Sequence, residues 1–196
     1  MEIALLITKL VFTAFTLVLI PFYWRAHGSQ NFLWLSDIAL FLTLIAFWMN
    51  FSLLISVSVI SFLLPEIVWN IDFFFQLLAR RRLLGVTDYM FDPKRTLFLR
   101  GLSLFHIALP ILWIWGLYLW GYNKNAFGYA TFLLWGILTA TYFLTDPPKN
   151  INWVFLPHRL KWTWMPSWLW LMILLIGLPF TMIWPLHALL SKIMTP

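Results

Sequence analysis

The sequence contains no cysteine. Disulfides, thiolate metal centres and cysteine nucleophiles are therefore excluded from its chemistry. Charge is almost as scarce. Only 10% of the residues are Asp, Glu, Lys or Arg, whereas a soluble domain carries about 25%. With 62% of its residues hydrophobic, the chain cannot cover a water-facing surface, and its solvent is a bilayer. Internal repeats, a low-complexity tail and an obvious linker are also missing. So is the short-period alternation of a membrane barrel.

What is present is a series of apolar segments, at about 3–23, 32–49, 52–79, 97–121, 126–145 and 166–190. A lipid environment forbids unsatisfied backbone, so each is expected to be a helix. About 20 residues cross a bilayer once, which predicts an all-α, polytopic transmembrane bundle of about six helices in a single domain. The first segment lacks a basic start and a small-residue cleavage site, and reads as a retained helix rather than a removed signal. Pro65 lies inside the long third segment and is expected to kink it.

The basic residues give an orientation. Ten lie on the side of loops 1–2, 3–4 and 5–6: Arg25, Arg80, Arg81, Arg82, Lys94, Arg95, Arg100, Lys149, Arg159 and Lys161. Only Lys9, Lys124 and Lys192 lie on the other. Positive residues stay in the cytoplasm, so both termini are expected outside it. The same loops account for the net charge of +6, and no nucleic-acid partner is expected. The expected partners are membrane lipids, with Arg80–Arg82 meeting anionic headgroups at the cytoplasmic face; no protein partner is indicated. The stretch 146–168 mixes Pro, Trp and basic residues as interfacial segments do.

Ionisable residues inside a membrane span are costly, about 3 kcal/mol for a central Asp on insertion scales, and are functional candidates by default. Asp37, Glu66, Asp72 and His106 fall inside the spans. A rise of ~1.5 Å per residue from the expected helix ends places Asp37 ~8 Å, Asp72 ~10 Å and His106 ~14 Å deep, with Glu66 deepest at ~20 Å. Ser103, His106 and Pro110 share one helix face, and Glu66 and Asn70 another. Of the acids, only Glu2 lies away from the cytoplasmic side. A polar cavity open to that side is expected. Each residue also has a plainer role open to it. Asp37 can complement a helix dipole, Ser36 can bond its own preceding turn, and His106 and the asparagines can tie helices together. His106 with Asp37, Asp72 or Glu66 could supply a His-plus-carboxylate metal set, but no HxxH or ExxH spacing occurs, so this ranks below catalysis without a metal and neither a metal nor a cofactor is expected.

The motifs NFLWLSDIALF, LLPEIVWNIDF, TDYMFD, LSLFHIALP and TDPPKNINWVF together resemble a family of small bacterial integral membrane proteins, over about residues 31–155. The resemblance implies a multi-pass protein of a bacterial inner membrane. A more remote likeness is to the YwaF-type and androgen-induced-gene-type membrane proteins, in which a nucleophile in an early helix faces a histidine in a later one. Some of these are implicated in acyl transfer or fatty-ester hydrolysis, with Cys or Thr as nucleophile. LWLSDIA puts Ser36 where that nucleophile would stand, FHIALP puts His106 where the histidine would stand, and NINWVFLP puts Asn152 and Trp153 at the late turn. The departure is Ser36 for Cys or Thr, followed by Asp37.

These observations give one leading expectation: an intramembrane lipid-ester hydrolase or acyltransferase. Ser36 is expected to attack the acyl carbonyl, with His106 as its base and Asp72 or Asp37 fixing the imidazole. Asn70 or Asn152 would donate to the oxyanion, and Glu66, Tyr89 and Trp153 complete the expected substrate region. A carrier using Asp37, Glu66 and Asp72 as protonation or cation sites is the alternative. A structural subunit, with the polar cluster serving packing, is the third possibility.

Overall fold

The computed structural model describes residues 2–156 and 164–194. Among the described residues there are helices and no strands. Six helices make up the bundle: α1 (Glu2–His27), α2 (Leu35–Met49), α3 (Ser52–Ala79), α4 (Leu97–Trp120), α5 (Ala126–Leu144) and α6 (Ser167–Ile193). All but α2 are long and apolar enough to cross a membrane. At about 1.5 Å per residue, α2 reaches only ~22 Å, against a hydrocarbon core of ~30 Å. The protein is a multi-pass integral membrane protein. Large apolar side chains turned outward, such as Leu17, Ile114 and Phe132, fit lipid rather than water as the solvent.

The central element is α3, which packs against α2, α4 and α5. Its inward face carries Ile55, Val59, Ile60 and Phe62 together with small serines at 56, 58 and 61, all buried. Small residues let membrane helices approach closely. Gly116 of α4 does the same from the other side: a Cβ there would lie 3.0 Å from Ile55 Cδ1. Between α2 and α4, Trp113 Nε1 donates to Thr43 Oγ1 at 2.7 Å, with both residues fully buried.

Prolines and polar residues shape the helices. Helix α3 continues through Pro65, whose missing N–H leaves the Ser61 carbonyl without its helical donor. The expected uninterrupted fourth helix is instead broken once, between Leu97–Leu102 and Phe105–Trp120. There Ser103 N bonds Arg100 O and Leu104 N bonds Gly101 O, the tighter i→i+3 pattern that often marks a functional position inside a helix. A π-helical turn over Pro179–Ile183 interrupts α6.

The three basic connections gather at one end of the bundle. Gln30 accepts from Lys149 at 2.8 Å, and Arg95 lies 3.4 Å from His27. Asn152 organises this end. Its Oδ1 accepts from Leu35 N at 2.9 Å and so caps α2, while its Nδ2 donates to Leu33 O at 2.7 Å and Thr141 Oγ1 at 3.1 Å. To reach this position the backbone takes positive φ at Asn150, Asn152 and Trp153, a conformation asparagine tolerates better than most residues. Replacing Asn152 with Ala should lower stability by about 2 kcal/mol, because one donor, Leu35 N, and two acceptors, Leu33 O and Thr141 Oγ1, lose their partners together. Thermal unfolding in detergent checks this; a melting temperature equal to wild type would contradict it.

Candidate functional site

Close to the basic end, four parts of the chain bring buried polar side chains together. Helix α1 supplies Tyr23, α2 supplies Asp37, and α3 supplies Glu66 and Trp69. The break in α4 supplies Ser103 and His106. All six are buried. The connection between α3 and α4 adds Tyr89.

The shortest contact in the cluster is between Glu66 and His106. Glu66 Oε2 lies 2.6 Å from His106 Nδ1, the length of a charge-assisted hydrogen bond. The imidazole is stacked on Trp69, with ring centroids 4.3 Å apart and planes within 10°, and it lies as close to Phe105. Asn70 locks the two helices beneath it, donating from Nδ2 to the carbonyls of both Glu66 and His106 at 2.8 Å. The ring is thus held by a carboxylate, an aromatic face and a fixed backbone. Among the described residues no hydrogen bond occupies Nε2. With Nδ1 donating to Glu66, the lone pair of the neutral ring sits on that free nitrogen.

Around this pair, Tyr23 and Ser103 share a hydroxyl hydrogen bond of 2.7 Å. Trp69 Nε1 donates to the Tyr89 hydroxyl at 3.1 Å. Asp37 is 3% exposed; its Oδ2 accepts from Asn31 Nδ2 at 3.0 Å, and its Oδ1 has no partner among the described residues.

Of the residues expected at the site, the structure brings some together and commits others elsewhere. Glu66, expected as a substrate residue, is the group that orients His106. Asp72, expected to fix the imidazole, does something else. Its Oδ1 accepts from Leu84 N at 2.7 Å and Gly85 N at 3.2 Å; its Oδ2 accepts from Thr87 N at 2.8 Å and Thr87 Oγ1 at 2.7 Å. Gly85 turns the chain there with φ +83°, which glycine adopts without steric cost. Asp72 therefore folds the connection back and delivers Tyr89 to the cluster. Asp37 also makes no hydrogen bond to the imidazole. Ser36 is half-buried in the first turn of α2, one position and about 100° from Asp37, and its hydroxyl makes no hydrogen bond to His106 among the described residues. Asn152 is committed to the α2 cap, and both amide hydrogens of Asn70 are committed to backbone, so neither is poised as an oxyanion donor. Trp153 is 54% exposed, and its carbonyl accepts from Trp170 Nε1.

Tyr23, Trp69, Ser103 and Asn31 were not singled out as site residues from sequence. Trp69 follows Glu66 by three positions and Ser103 precedes His106 by three, so helical spacing carried part of the signal. His158, Arg159 and Lys161 lie outside the described residues. Among the described residues, no three His, Asp or Glu side chains converge in a way that could hold a metal ion.

Two cavities flank the cluster. One, about 230 Å³, opens at the basic end and is lined by His27, Asn31, Trp34, Lys149 and Ile151. The other, about 370 Å³, is an apolar groove on the outer face of α3 and α4, lined by Ile67, Asn70, Ile71, Phe74, Ile107 and Pro110 among others. Asn70 is thus common to the groove and to the support beneath Glu66 and His106.

No protein-family model, curated protein or solved structure matches the chain.

Burial pushes the Tyr89 phenol up to about 12. The native state holds this proton more tightly than the unfolded chain does. Stability is therefore unaffected below about pH 10, the ordinary tyrosine value, and declines as pH rises towards about 12. An ultraviolet tyrosinate titration of folded protein should show that Tyr89→Phe removes a phenol ionising near pH 12. Removal of one ionising near pH 10 would contradict the burial of Tyr89.

Proposed function

We propose that the protein is an intramembrane lipid-ester hydrolase or acyltransferase in which the Glu66–His106 pair is the general base. The supporting observation is the buried 2.6 Å contact that holds Nδ1 and leaves Nε2 without a hydrogen-bond partner among the described residues. The neighbouring apolar groove is suited to one acyl chain. We further propose that the basic end faces the cytoplasm, that both termini lie outside it, and that the membrane is a bacterial inner membrane.

In this reading His106 Nε2 takes the proton of a hydroxyl as its oxygen attacks the acyl carbonyl carbon. Glu66 stabilises the imidazolium that forms. The ester C–O bond then breaks, and the departing alkoxide takes the proton from Nε2. The Tyr89 hydroxyl is the proposed donor to the oxyanion. Neither serine is bonded to His106: Ser103 shares its hydroxyl with Tyr23, and Ser36 stands apart. The attacking hydroxyl in this reading therefore comes from water or an acceptor alcohol, rather than from Ser36.

Purified protein in liposomes, supplied with phospholipids carrying labelled acyl chains, tests this directly. Release or transfer of the label should fall about 100-fold or more in His106→Gln and in Glu66→Gln, the usual scale for loss of general-base catalysis. Ser36→Ala should keep most of the activity. Loss in Ser36→Ala, with covalent labelling of wild type by a fluorophosphonate, would restore Ser36 as nucleophile. No turnover of any ester, with proton flux that depends on Glu66, would replace the enzyme by a proton-linked carrier.

A further inference from the structure

The cavity at the basic end is bordered by hydrogen-bond donors that lack acceptors. His27 and Lys149 line it, with Trp34 and Ile151 as apolar walls. Arg95 Nη1 lies 3.4 Å from His27 Nε2. A guanidinium only donates, so Nε2 accepts and the neutral His27 ring carries its proton on Nδ1. Among the described residues that Nδ1–H has no acceptor, and neither have the other N–H groups of the half-buried Arg95 guanidinium. No carboxylate pairs with Arg95 there either. Lys149 is different. Its ammonium bonds Asp146 Oδ2 at 2.9 Å and Gln30 Oε1 at 2.8 Å, which leaves one of its three protons. Asp146 is thus balanced by Lys149, and the charge of Arg95 is not balanced by anything. An anion with several oxygens satisfies such a set of donors, and phosphate matches the planar fork of a guanidinium.

Arg95 also leads from the cavity to the Glu66–His106 pair. Its guanidinium lies 5.4 Å from the Tyr89 ring centroid, Tyr89 accepts from Trp69 Nε1, and Trp69 stacks on His106. The cavity holds about 230 Å³, below the ~300 Å³ at which pockets for whole drug-sized ligands begin, so it has room for a headgroup and not for a whole lipid. We infer that the cavity is a headgroup subsite: it takes the phosphodiester of a membrane phospholipid, held by the Arg95 guanidinium and the Nδ1–H of His27, with the remaining Lys149 proton beside them. Its apolar walls suit a lipid better than free phosphate. The link to catalysis rests on the Glu66–His106 pair being the general base, and it makes the ester a glycerophospholipid rather than a neutral glyceride. Binding energy from a headgroup that does not react then positions the carbonyl that does.

Solid-state NMR of the full chain in phosphatidylglycerol bilayers tests this, with nitrogen-15 in the histidines and phosphorus-31 in the lipid. His27→Gln assigns the His27 signals. Phosphorus should dephase the Nδ1 signal of wild-type His27. Arg95→Gln should lose at least half of that dephasing and Arg95→Lys should keep most of it; the second variant covers any folding defect in the first. Absence of dephasing at His27 in wild type would overturn the proposal, as would dephasing unchanged in Arg95→Gln. Inorganic phosphate, supplied alone in a detergent without phosphorus, should produce none. Dephasing by inorganic phosphate equal to that by the lipid would overturn the lipid assignment and make the cavity a site for free phosphate. Glu66→Gln removes the proposed base and should leave the His27 dephasing unchanged, so the subsite and the ester chemistry fail separately.

Discussion

The hydrogen bond between Glu66 and His106 sets the conditions that the rest of this end of the bundle satisfies. Two ionisable side chains face each other where water cannot solvate them, and each would be costly alone. Their pairing requires α3 and α4 to stay in one register. The double donation from Asn70 to the backbone of both helices supplies that register. The stacking of Trp69 fixes the ring plane. The break in α4 after Leu102 turns Ser103 and His106 into the bundle. Farther up, Gly116 lets the two helices close on each other at Ile55.

A second layer holds this arrangement from above. Asp72 gathers four donors from the α3–α4 connection, and so turns a flexible basic segment into a cover that carries Tyr89. Asn152 plays the matching part on the opposite side, capping α2 and anchoring the turn before it. The first turn of α2 is therefore fixed in place, and with it Asp37. Polar residues at this end fall into two groups. Asp72 and Asn152 have their polar atoms committed to backbone and to threonine hydroxyls, and Asn70 has its amide hydrogens committed to backbone. Glu66, His106 and Asp37 are instead held in place while one atom or one oxygen remains free. Chemistry is expected from the second group.

Much of the architecture was legible in the sequence because hydropathy and helix length act independently of detail. The six segments match the observed helices closely: 52–79 coincides with Ser52–Ala79, and 97–121 ends within one residue of Trp120. The site was legible in membership and not in pairing. His106, Glu66, Asp37 and Tyr89 stand out as costly or well-placed residues, yet counting from the helix ends sets Glu66 deeper than His106, and Asp72 or Asp37 is the expected partner of the imidazole. Depth counted from the helix ends was misleading for a physical reason. At about 1.5 Å per residue α3 is ~42 Å long, beyond the ~30 Å of a hydrocarbon core. The connection also folds back over Asp72, so the end of α3 does not mark the membrane surface. Likewise, nothing in NINW indicates that Asn152 reaches Leu35, more than a hundred residues away. Such contacts depend on positive φ values and on loop return, which local spacing does not encode.

The central claim is that Glu66 holds the Nδ1–H of His106 and leaves Nε2 as the basic nitrogen. Nitrogen-15 NMR of histidine-labelled protein in lipid measures this directly, with the His106 signals assigned from the spectrum of His106→Gln. A hydrogen-bonded Nδ1–H and a bare Nε2 are expected for His106, with loss of the Nδ1 hydrogen-bond signature in Glu66→Gln. A proton on Nε2 with a bare Nδ1, or a His106 spectrum unchanged in Glu66→Gln, would contradict it.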